Sequence, residues 1–114
     1  MGLPARGSVV IIDFPYSNMR QFKRRPALAL SDMAGDDMVV CQITSATNLN
    51  KYAVLLREDD HTKIGLRAIS YARADKIFTI EKSMVLRVLP PVSDEVLQHV
   101  VDMIVEVISG GELA

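Results

Sequence analysis

The sequence predicts a mainly β (α+β) fold, a small twisted β-barrel that is closed by a C-terminal helix. Two observations support this prediction. Several short runs rich in β-branched residues are separated by turn residues, which is the pattern of consecutive strands. The last apolar run instead has helical spacing and stops at Gly110-Gly111. Because 114 residues with 49% hydrophobic residues suit one core, we expect residues 1–114 to form a single domain.

The first three strands are predicted from turn and breaker residues. Residues 8–14 form the first strand, which ends before Pro15 because proline cannot donate to a ladder. A polar loop then leads to a second strand that starts at Pro26. The turn signal Gly35-Asp36-Asp37 separates it from a third strand over residues 38–45, which predicts a hairpin.

The second strand has two different faces, because successive side chains of a strand point in opposite directions. Leu28 and Leu30 share the face that we assign to the core. The other face carries one cation and three small side chains, those of Arg25, Ala27, Ala29 and Ser31. We therefore predict a shallow depression with a guanidinium at its rim, which suits an anionic ligand.

The third strand is predicted to bury the single cysteine. Alternation places Cys41 on the core face and Gln42 and Thr44 together on the opposite face. A buried strand cysteine is usually inert, and one cysteine excludes an internal disulfide and a cysteine metal cage. This cysteine usage fits a cytoplasmic protein, as does the lack of an apolar run long enough for a signal core or a membrane span.

The charge of the chain restricts the ways in which it can bind a polyanion. A formal net charge of −1 argues against attachment to nucleic acid or membrane by bulk electrostatics. The charge is uneven, since residues 1–57 carry seven Lys/Arg and four Asp/Glu, whereas residues 58–114 carry six and ten. Any polyanion contact must therefore be local. The cationic cluster available for it comprises Arg20, Lys23, Arg24 and Arg25.

Residues 66–80 form an extended segment that brings three kinds of functional group to one face. Alternation places Tyr71, Arg73 and Asp75 together, that is, an aromatic ring, a cation and a carboxylate. Such a trio can hold a nucleotide, because arginine contacts phosphate, tyrosine stacks and aspartate can accept a proton. An internal Arg–Asp ion pair that only orders the strand explains the same residues equally well.

Two shorter strands, over residues 52–57 and 84–89, and a terminal helix complete the prediction. Ser93 is the expected N-cap, and the helix should run to about Ser109. The helix has a core stripe and a second apolar strip beside it, which predicts deep burial or contact with another chain. The stripe comprises Leu97, Val100, Val101, Ile104 and Ile108, and the strip comprises Val96, Met103 and Val107.

Neither histidine is predicted to be catalytic. His61 lies in a charged loop, where a solvated histidine is the commoner case, and His99 lies on the helix. The sequence contains no metal-ligand spacing and no Gly-rich phosphate loop. We therefore expect neither a metal nor a cofactor.

Four stretches follow one another along the chain: D-F-P at 13–15, R-P-A-L-A-L-S at 25–31, C-Q-I-T-S at 41–45 and S-Y-A-R-A-D-K-I-F-T-I at 70–80. Together they resemble the MazF/PemK family of bacterial toxin/antitoxin ribonucleases. The resemblance implies an SH3-like barrel, related to CcdB, that forms a homodimer and is neutralised by a cognate antitoxin. It also implies cleavage of single-stranded RNA without a metal. Residues 19–23 depart from the family pattern, so no RNA sequence preference is carried over.

Carried over by position, the resemblance implies four catalytic residues: Arg25, Thr44, Arg73 and Asp75. The predicted RNA-binding residues are the neighbours of these four and the rest of the basic cluster, namely Arg20, Lys23, Arg24, Gln42, Ser45 and Tyr71. In RNA the 2′-hydroxyl can attack the adjacent phosphodiester, so the protein has to supply a base, an acid and cations. Asp75 is the candidate base, and Arg25 is expected to stabilise charge on the phosphate.

A non-catalytic binding module on the same barrel is the alternative, either a gyrase-binding relative or a degenerate antitoxin-binding relative. The carboxylate beside two arginines favours the nuclease, because a pure interaction surface does not need that combination.

Overall fold

The computed structural model describes residues 4–15, 22–32, 34–56, 64–66 and 68–110. Within these residues the chain forms six antiparallel strands and a C-terminal helix, which confirms the predicted mainly β class. The elements are β1 (Ser8–Pro15), β2 (Phe22–Ala29), β3 (Asp37–Thr44), β4 (Ala53–Leu55), β5 (Tyr71–Glu81), β6 (Val85–Pro91) and α1 (Asp94–Ser109). A short 3₁₀ turn over Lys82–Met84 separates β5 from β6. The strand order across the sheet is β4-β5-β3-β2-β1-β6.

The strand bounds differ from the predicted ones mainly where proline is involved. β2 begins at Phe22 rather than at Pro26, so the basic residues belong to the strand and pair with β1. β6 extends through Pro90 and Pro91, which an edge strand tolerates because its outer N–H groups have no ladder to join. The predicted turn at Gly35 is confirmed, with a bridge between Ala34 and Asp37.

Two other strands are shorter than predicted. β5 starts at Tyr71, whereas the sequence predicted an extended segment from residue 66. β4 covers three of the six residues predicted for it, and residue 57 lies outside the described part of the chain.

The first core lies between one face of the sheet and α1. Cys41 is buried there, as predicted, among aliphatic side chains of the central strands and of the helix. The fully buried members from the strands and the helix include Val9, Leu28, Cys41, Ile43 and Val100. Burying an aliphatic side chain of this size stabilises the fold by about 1.5–3 kcal/mol.

A second core covers the opposite face of the sheet and overturns one prediction. The small-residue face of β2 is not an open depression, since Ala27 and Ala29 are completely buried. They pack within a cluster that also contains Val10, Ile12, Met38, Val40 and Ile80. Phe14 and Phe78 meet edge to face beside this cluster, with ring centroids 5.0 Å apart. The alternation of β2 was predicted correctly, but Ala27 and Ala29 allow close packing in the second core and do not form a binding depression.

The helix has the predicted caps. Ser93 Oγ accepts a hydrogen bond from Val96 N at 3.2 Å, and Gly110 ends the helix in the left-handed conformation at φ +78°. The prediction for the core stripe was wrong at Ile108, which is 71% exposed. Val96 of the second strip is buried, which is one of the two outcomes predicted for that strip. No helix among the described residues is long and apolar enough to cross a membrane.

Candidate functional site

A cavity opens where β2 and β3 separate, and we call it the β2–β3 cavity. The pairing of these strands ends at Ala27 and Gln42. Pro26, the next residue of β2 toward its start, has no N–H with which to continue the ladder. Beyond this point lies a cavity of about 290 Å³. Its lining residues are Lys23, Arg24, Arg25, Pro26, Ile43, Thr44, Ser45, Leu66, Ala68 and Ser70.

The described lining of the β2–β3 cavity is cationic, because three of these residues are Lys or Arg and none of them is acidic. Arg24 is partly offset by Asp13, but the contact from Nε to Oδ1 is 3.8 Å long and both side chains are well exposed. A pair of that kind contributes little. Arg25 is half-buried and makes no ion pair or hydrogen bond with any other described residue. Its guanidinium is therefore available to an anionic ligand.

Hydroxyl groups face these cations from the end of β3. Thr44 Oγ1 accepts a hydrogen bond from Ala46 N at 3.2 Å, which leaves the hydroxyl proton available for donation. Ser45 follows Thr44 and is exposed. Tyr71 lies opposite Thr44 in the ladder between β3 and β5, so the predicted aromatic neighbour is also at this end of the sheet.

A bulge in β5 positions the other two predicted catalytic residues. Cys41 pairs with Ile77 and Ile43 pairs with Ala72, so residues 73–76 of β5 lie opposite the single residue Gln42 of β3. Bulges of this kind re-aim side chains and are frequent beside functional sites. Arg73 and Asp75 both belong to this bulge.

Arg73 and Asp75 form an ion pair that a third residue completes, and we call these three residues the β5 cluster. Arg73 Nη2 lies 3.3 Å from Asp75 Oδ2, and Asn50 Nδ2 donates to the same oxygen at 2.8 Å. Asn50 Oδ1 in turn accepts a hydrogen bond from Tyr52 N at 2.9 Å, which fixes the side chain in the turn before β4. The Arg73–Asp75 ion pair is therefore present. It is the pair that the purely structural interpretation of the sequence predicted.

Two polar atoms of the β5 cluster are enclosed without a partner, namely Arg73 Nε and Asp75 Oδ1. Both donors to Asp75 go to Oδ2, so Oδ1 keeps its lone pairs. Burial alone would raise the pKa of the Asp75 carboxyl. Hydrogen bonds from Asn50 and Arg73, together with the positive charge of Arg73, outweigh burial and hold that pKa below its usual range. Asp75 is therefore an ionised carboxylate at neutral pH.

The structure divides the predicted site residues into two groups. Five of them line the β2–β3 cavity: Lys23, Arg24, Arg25, Thr44 and Ser45. Arg73 and Asp75 are not among its lining residues, and half-buried Gln42 lies in β3 between Ala27 of β2 and the bulge of β5. Arg20 lies outside the described residues. Sequence reasoning missed Asn50, and its only signal was an asparagine placed two residues before a strand.

Two other groups that the sequence raised, Cys41 and His99, do not line the β2–β3 cavity. Burial raises the pKa of the Cys41 thiol to about 12, so at neutral pH it is protonated and is not a nucleophile. His99 is exposed on α1, and His61 lies outside the described residues. Among the described residues no three His, Cys, Asp or Glu side chains are grouped so that they could hold a metal ion.

Comparisons with known proteins agree on one family. The sequence profile of the PemK-like, MazF-like toxins of type II toxin-antitoxin systems matches residues 5–108. A comparison with curated protein sequences gave no significant match.

Three solved structures illustrate the similarity of fold. An endoribonuclease in complex with its cognate antitoxin from a mycobacterial species is 20% identical, with a TM-score of 0.76 over 97% of this chain and 99% of that one. A MazE-MazF complex from Deinococcus radiodurans is 22% identical, with a TM-score of 0.79 over 96% and 98%. MazF from the same organism is 25% identical, with a TM-score of 0.75 over 96% and 99%. These likenesses confirm a MazF-like fold.

Proposed function

The chain belongs to the PemK-like, MazF-like toxin family of type II toxin-antitoxin systems, and from this premise we propose that it is an endoribonuclease that cleaves single-stranded RNA. In the proposed reaction a 2′-hydroxyl gives up its proton and attacks the adjacent phosphodiester. A 2′,3′-cyclic phosphate forms, the bond from phosphorus to the 5′-oxygen breaks, and that oxygen takes a proton from solvent and leaves as a 5′-hydroxyl. The observation that best supports this function is the β2–β3 cavity, which is lined both by Thr44 and by the half-buried Arg25, a residue that makes no ion pair with any other described residue.

In this proposal Arg25 acts on the phosphate. Attack by the 2′-hydroxyl adds negative charge to the phosphoryl oxygens, and a positioned cation stabilises that charge by about 3 kcal/mol. Thr44 donates a hydrogen bond to one of these oxygens, because the hydroxyl proton is not used when Oγ1 accepts from Ala46 N. Lys23, Arg24 and Ser45 hold the neighbouring backbone of the RNA. Gln42 and Tyr71 are proposed to contact the bases, with Arg20 adding charge at the entrance.

Asp75 is the proposed general base. It is ionised at neutral pH, and its Oδ1 has no donor among the described residues, as a proton acceptor requires. Arg73 and Asn50 hold the other oxygen and so fix the direction of Oδ1. Oδ1 is enclosed in the free protein, so in this proposal the β5 cluster has to open when RNA binds, which brings Oδ1 within hydrogen-bond reach of the 2′-hydroxyl.

Three further proposals follow from the family and the surface. We propose that the chain is neutralised by a cognate antitoxin, that it acts in the cytoplasm and that it forms a homodimer. Apolar side chains are exposed on β6, at Leu86 and Val88, and on α1, at Val105 and Ile108. Light scattering tests the dimer, which should have twice the 12.6 kDa mass of the chain.

The function is tested by the ends of the products. Incubation with a mixed RNA should give an upstream fragment that ends in a 2′,3′-cyclic phosphate and a downstream fragment with a free 5′-hydroxyl. Cleavage should continue in excess EDTA, because neither the nucleophile nor the charge stabilisation in this proposal comes from a metal. A substrate with deoxyribose at the scissile position should be resistant. A 5′-phosphate on the downstream fragment, or no cleavage of any RNA, would refute the proposal.

A further inference from the structure

A second cavity adjoins the first on the β1 side of the sheet, and we call it the β1–β6 cavity. Its volume is about 580 Å³. The two cavities share a wall formed by Arg24, Arg25, Pro26 and Leu66. The remaining lining residues of the second cavity are Ile11, Ile64, Gly65, Arg87 and Leu89.

The register of the sheet explains why these residues meet. Ile11 of β1 pairs with Pro26 of β2 on one side and with Arg87 of β6 on the other. Paired residues of neighbouring strands point to the same face, and adjacent strands lie about 4.8 Å apart. Arg87 therefore lies two strands from Pro26, on the face of the sheet that Ile11 shares.

The β1–β6 cavity has an apolar floor and a cationic rim. Ile11, Ile64 and Leu89 supply aliphatic surface, while the described residues that line the cavity include three arginines and no acidic residue. Arg87 is exposed and makes no ion pair or hydrogen bond within the part of the chain that the structure describes. An aliphatic surface beside an arginine with no described partner suits the flat face of a planar ring that is attached to an anion, which is the chemistry of a nucleotide.

The shared wall connects this cavity to the proposed catalytic cavity. A strand of RNA held at Arg25 can continue over Arg24 and Pro26 into the second cavity without leaving the protein surface. An acidic polypeptide would meet the same arginines, but the continuity with the cavity in which the phosphate is proposed to react favours RNA.

We propose that the β1–β6 cavity is a second nucleotide subsite, in which Arg87 binds the phosphate of a nucleotide outside the scissile step and the aliphatic floor receives its base. This inference rests on the proposed function. It adds a second place at which the RNA substrate is bound, beyond the reacting phosphate. Arg87 contributes to binding in this assignment and not to the chemical step.

The test compares Arg87→Ala with Arg6→Ala, an exposed arginine that lies outside both cavities. The probes are 2′-O-methyl oligonucleotide pools of mixed sequence, one of about twelve nucleotides and one of about three, since only the longer can occupy both cavities. Fluorescence anisotropy gives the dissociation constants over a range of salt. Arg87→Ala should weaken binding of the longer pool about fivefold at low salt and reduce the dependence of log K on log salt by about 0.7. Arg87→Lys should restore most of the binding.

Binding of the short pool, and all binding by Arg6→Ala, should match the wild type. Equal losses for both pools, or no loss for either, would overturn the subsite while leaving the proposed function intact if the wild type cleaves RNA. Weaker binding of an oligo-glutamate probe by Arg87→Ala, with RNA binding unchanged, would assign the cavity to an acidic protein partner instead. Wild type that neither binds nor cleaves RNA would overturn both proposals.

Discussion

The β2–β3 cavity and the β5 cluster contain similar side chains in opposite electrostatic states. Arg25 in the cavity has no ion pair or hydrogen bond among the described residues, whereas Arg73 in the cluster is paired with Asp75. Arg73 and Asp75 are each less than a quarter exposed, and Asn50 fixes the carboxylate further. Arg25 therefore takes its counter-charge from a ligand, whereas Asp75 already supplies the counter-charge of Arg73.

This difference predicts different results of mutation. Substitutions in the β2–β3 cavity should reduce activity and leave stability unchanged, because few interactions within the protein are lost. Substitutions in the β5 cluster should reduce both, because they break an ion pair and a hydrogen bond. The following experiments test that contrast in order of the expected effect.

Arg25→Ala is expected to have the largest effect on cleavage. Loss of a positioned charge stabiliser should lower kcat by roughly 10²–10³-fold, while the urea midpoint remains that of the wild type. Arg25→Lys should recover only part of the rate, since an ammonium lacks the planar donor pair of the guanidinium. Rates measured on one mixed RNA substrate decide the matter, and an unchanged kcat for Arg25→Ala would remove Arg25 from the mechanism.

Asp75→Asn should affect both properties. Removal of a general base is expected to slow cleavage by roughly 10²-fold, and loss of the charged partner of Arg73 should lower the free energy of unfolding by about 1–2 kcal/mol. Asp36→Asn, an exposed aspartate in the β2–β3 turn, is the matched control and should change neither. If Asp75→Asn lowers stability and leaves the rate unchanged, the pair only orders the strand and another group must be the base.

Thr44→Val removes one hydroxyl and keeps the shape of the side chain. Loss of its hydrogen bond to the phosphate should reduce kcat/KM about tenfold. Thr47→Val, at an exposed position three residues later, is the control and should leave kinetics unchanged. Equal activity of the two variants would show that the Thr44 hydroxyl does not bind the phosphate and that threonine is only a favourable residue for the end of β3.

Asn50→Ala is predicted to have the smallest effect, and its sign depends on pH. The pKa of Asp75 is held below its ordinary value of 3.8, so the ionised carboxylate stabilises the fold above that pH, and the contribution is lost as pH falls through the lowered pKa. Without the Asn50 donor that pKa should rise toward the ordinary value. Asn50→Ala should therefore be about 1 kcal/mol less stable than wild type at pH 7 and nearly equal to it once the pH lies below the lowered pKa of Asp75.

Urea denaturation at both pH values tests this prediction, with Asn48→Ala as the control on the same loop. A stability difference that stays constant with pH would mean that Asn50 supports the turn before β4 and does not act on Asp75.

Local signals in the sequence predicted much of the fold. The helix bounds follow from Ser93 and Gly110, and the hairpin follows from the turn at Gly35, because each signal acts over a few residues. The fate of Ala27 and Ala29 was not predictable in this way. Their burial depends on Met38, Val40 and Ile80, which lie on other strands and form the second core only after the sheet is assembled.

The candidate site shows the same limit. Arg25 and Thr44 were identified from the sequence, but the separation of β2 from β3 that opens a cavity between them is a property of the assembled sheet. Asn50 could not be found because it reaches Asp75 across 25 residues of sequence. The bulge at residues 73–76 likewise depends on how β5 pairs with β3, and alternation along β5 alone gives no sign of it.

The bulge also allows one strand to contribute to both cores. Ala72, before the bulge, belongs to the first core, whereas Phe78 and Ile80, at the same alternation, pack in the second. In the bulge four residues of β5 lie opposite one residue of β3, so β5 contains three extra residues. An odd number of extra residues reverses the faces of a strand. A regular strand would place Ala72 and Ile80 on one face, so the bulge is what allows each of them to reach its own core. The apolar pattern of β5 therefore changes face at residues 73–76, and strict alternation cannot be extended across them.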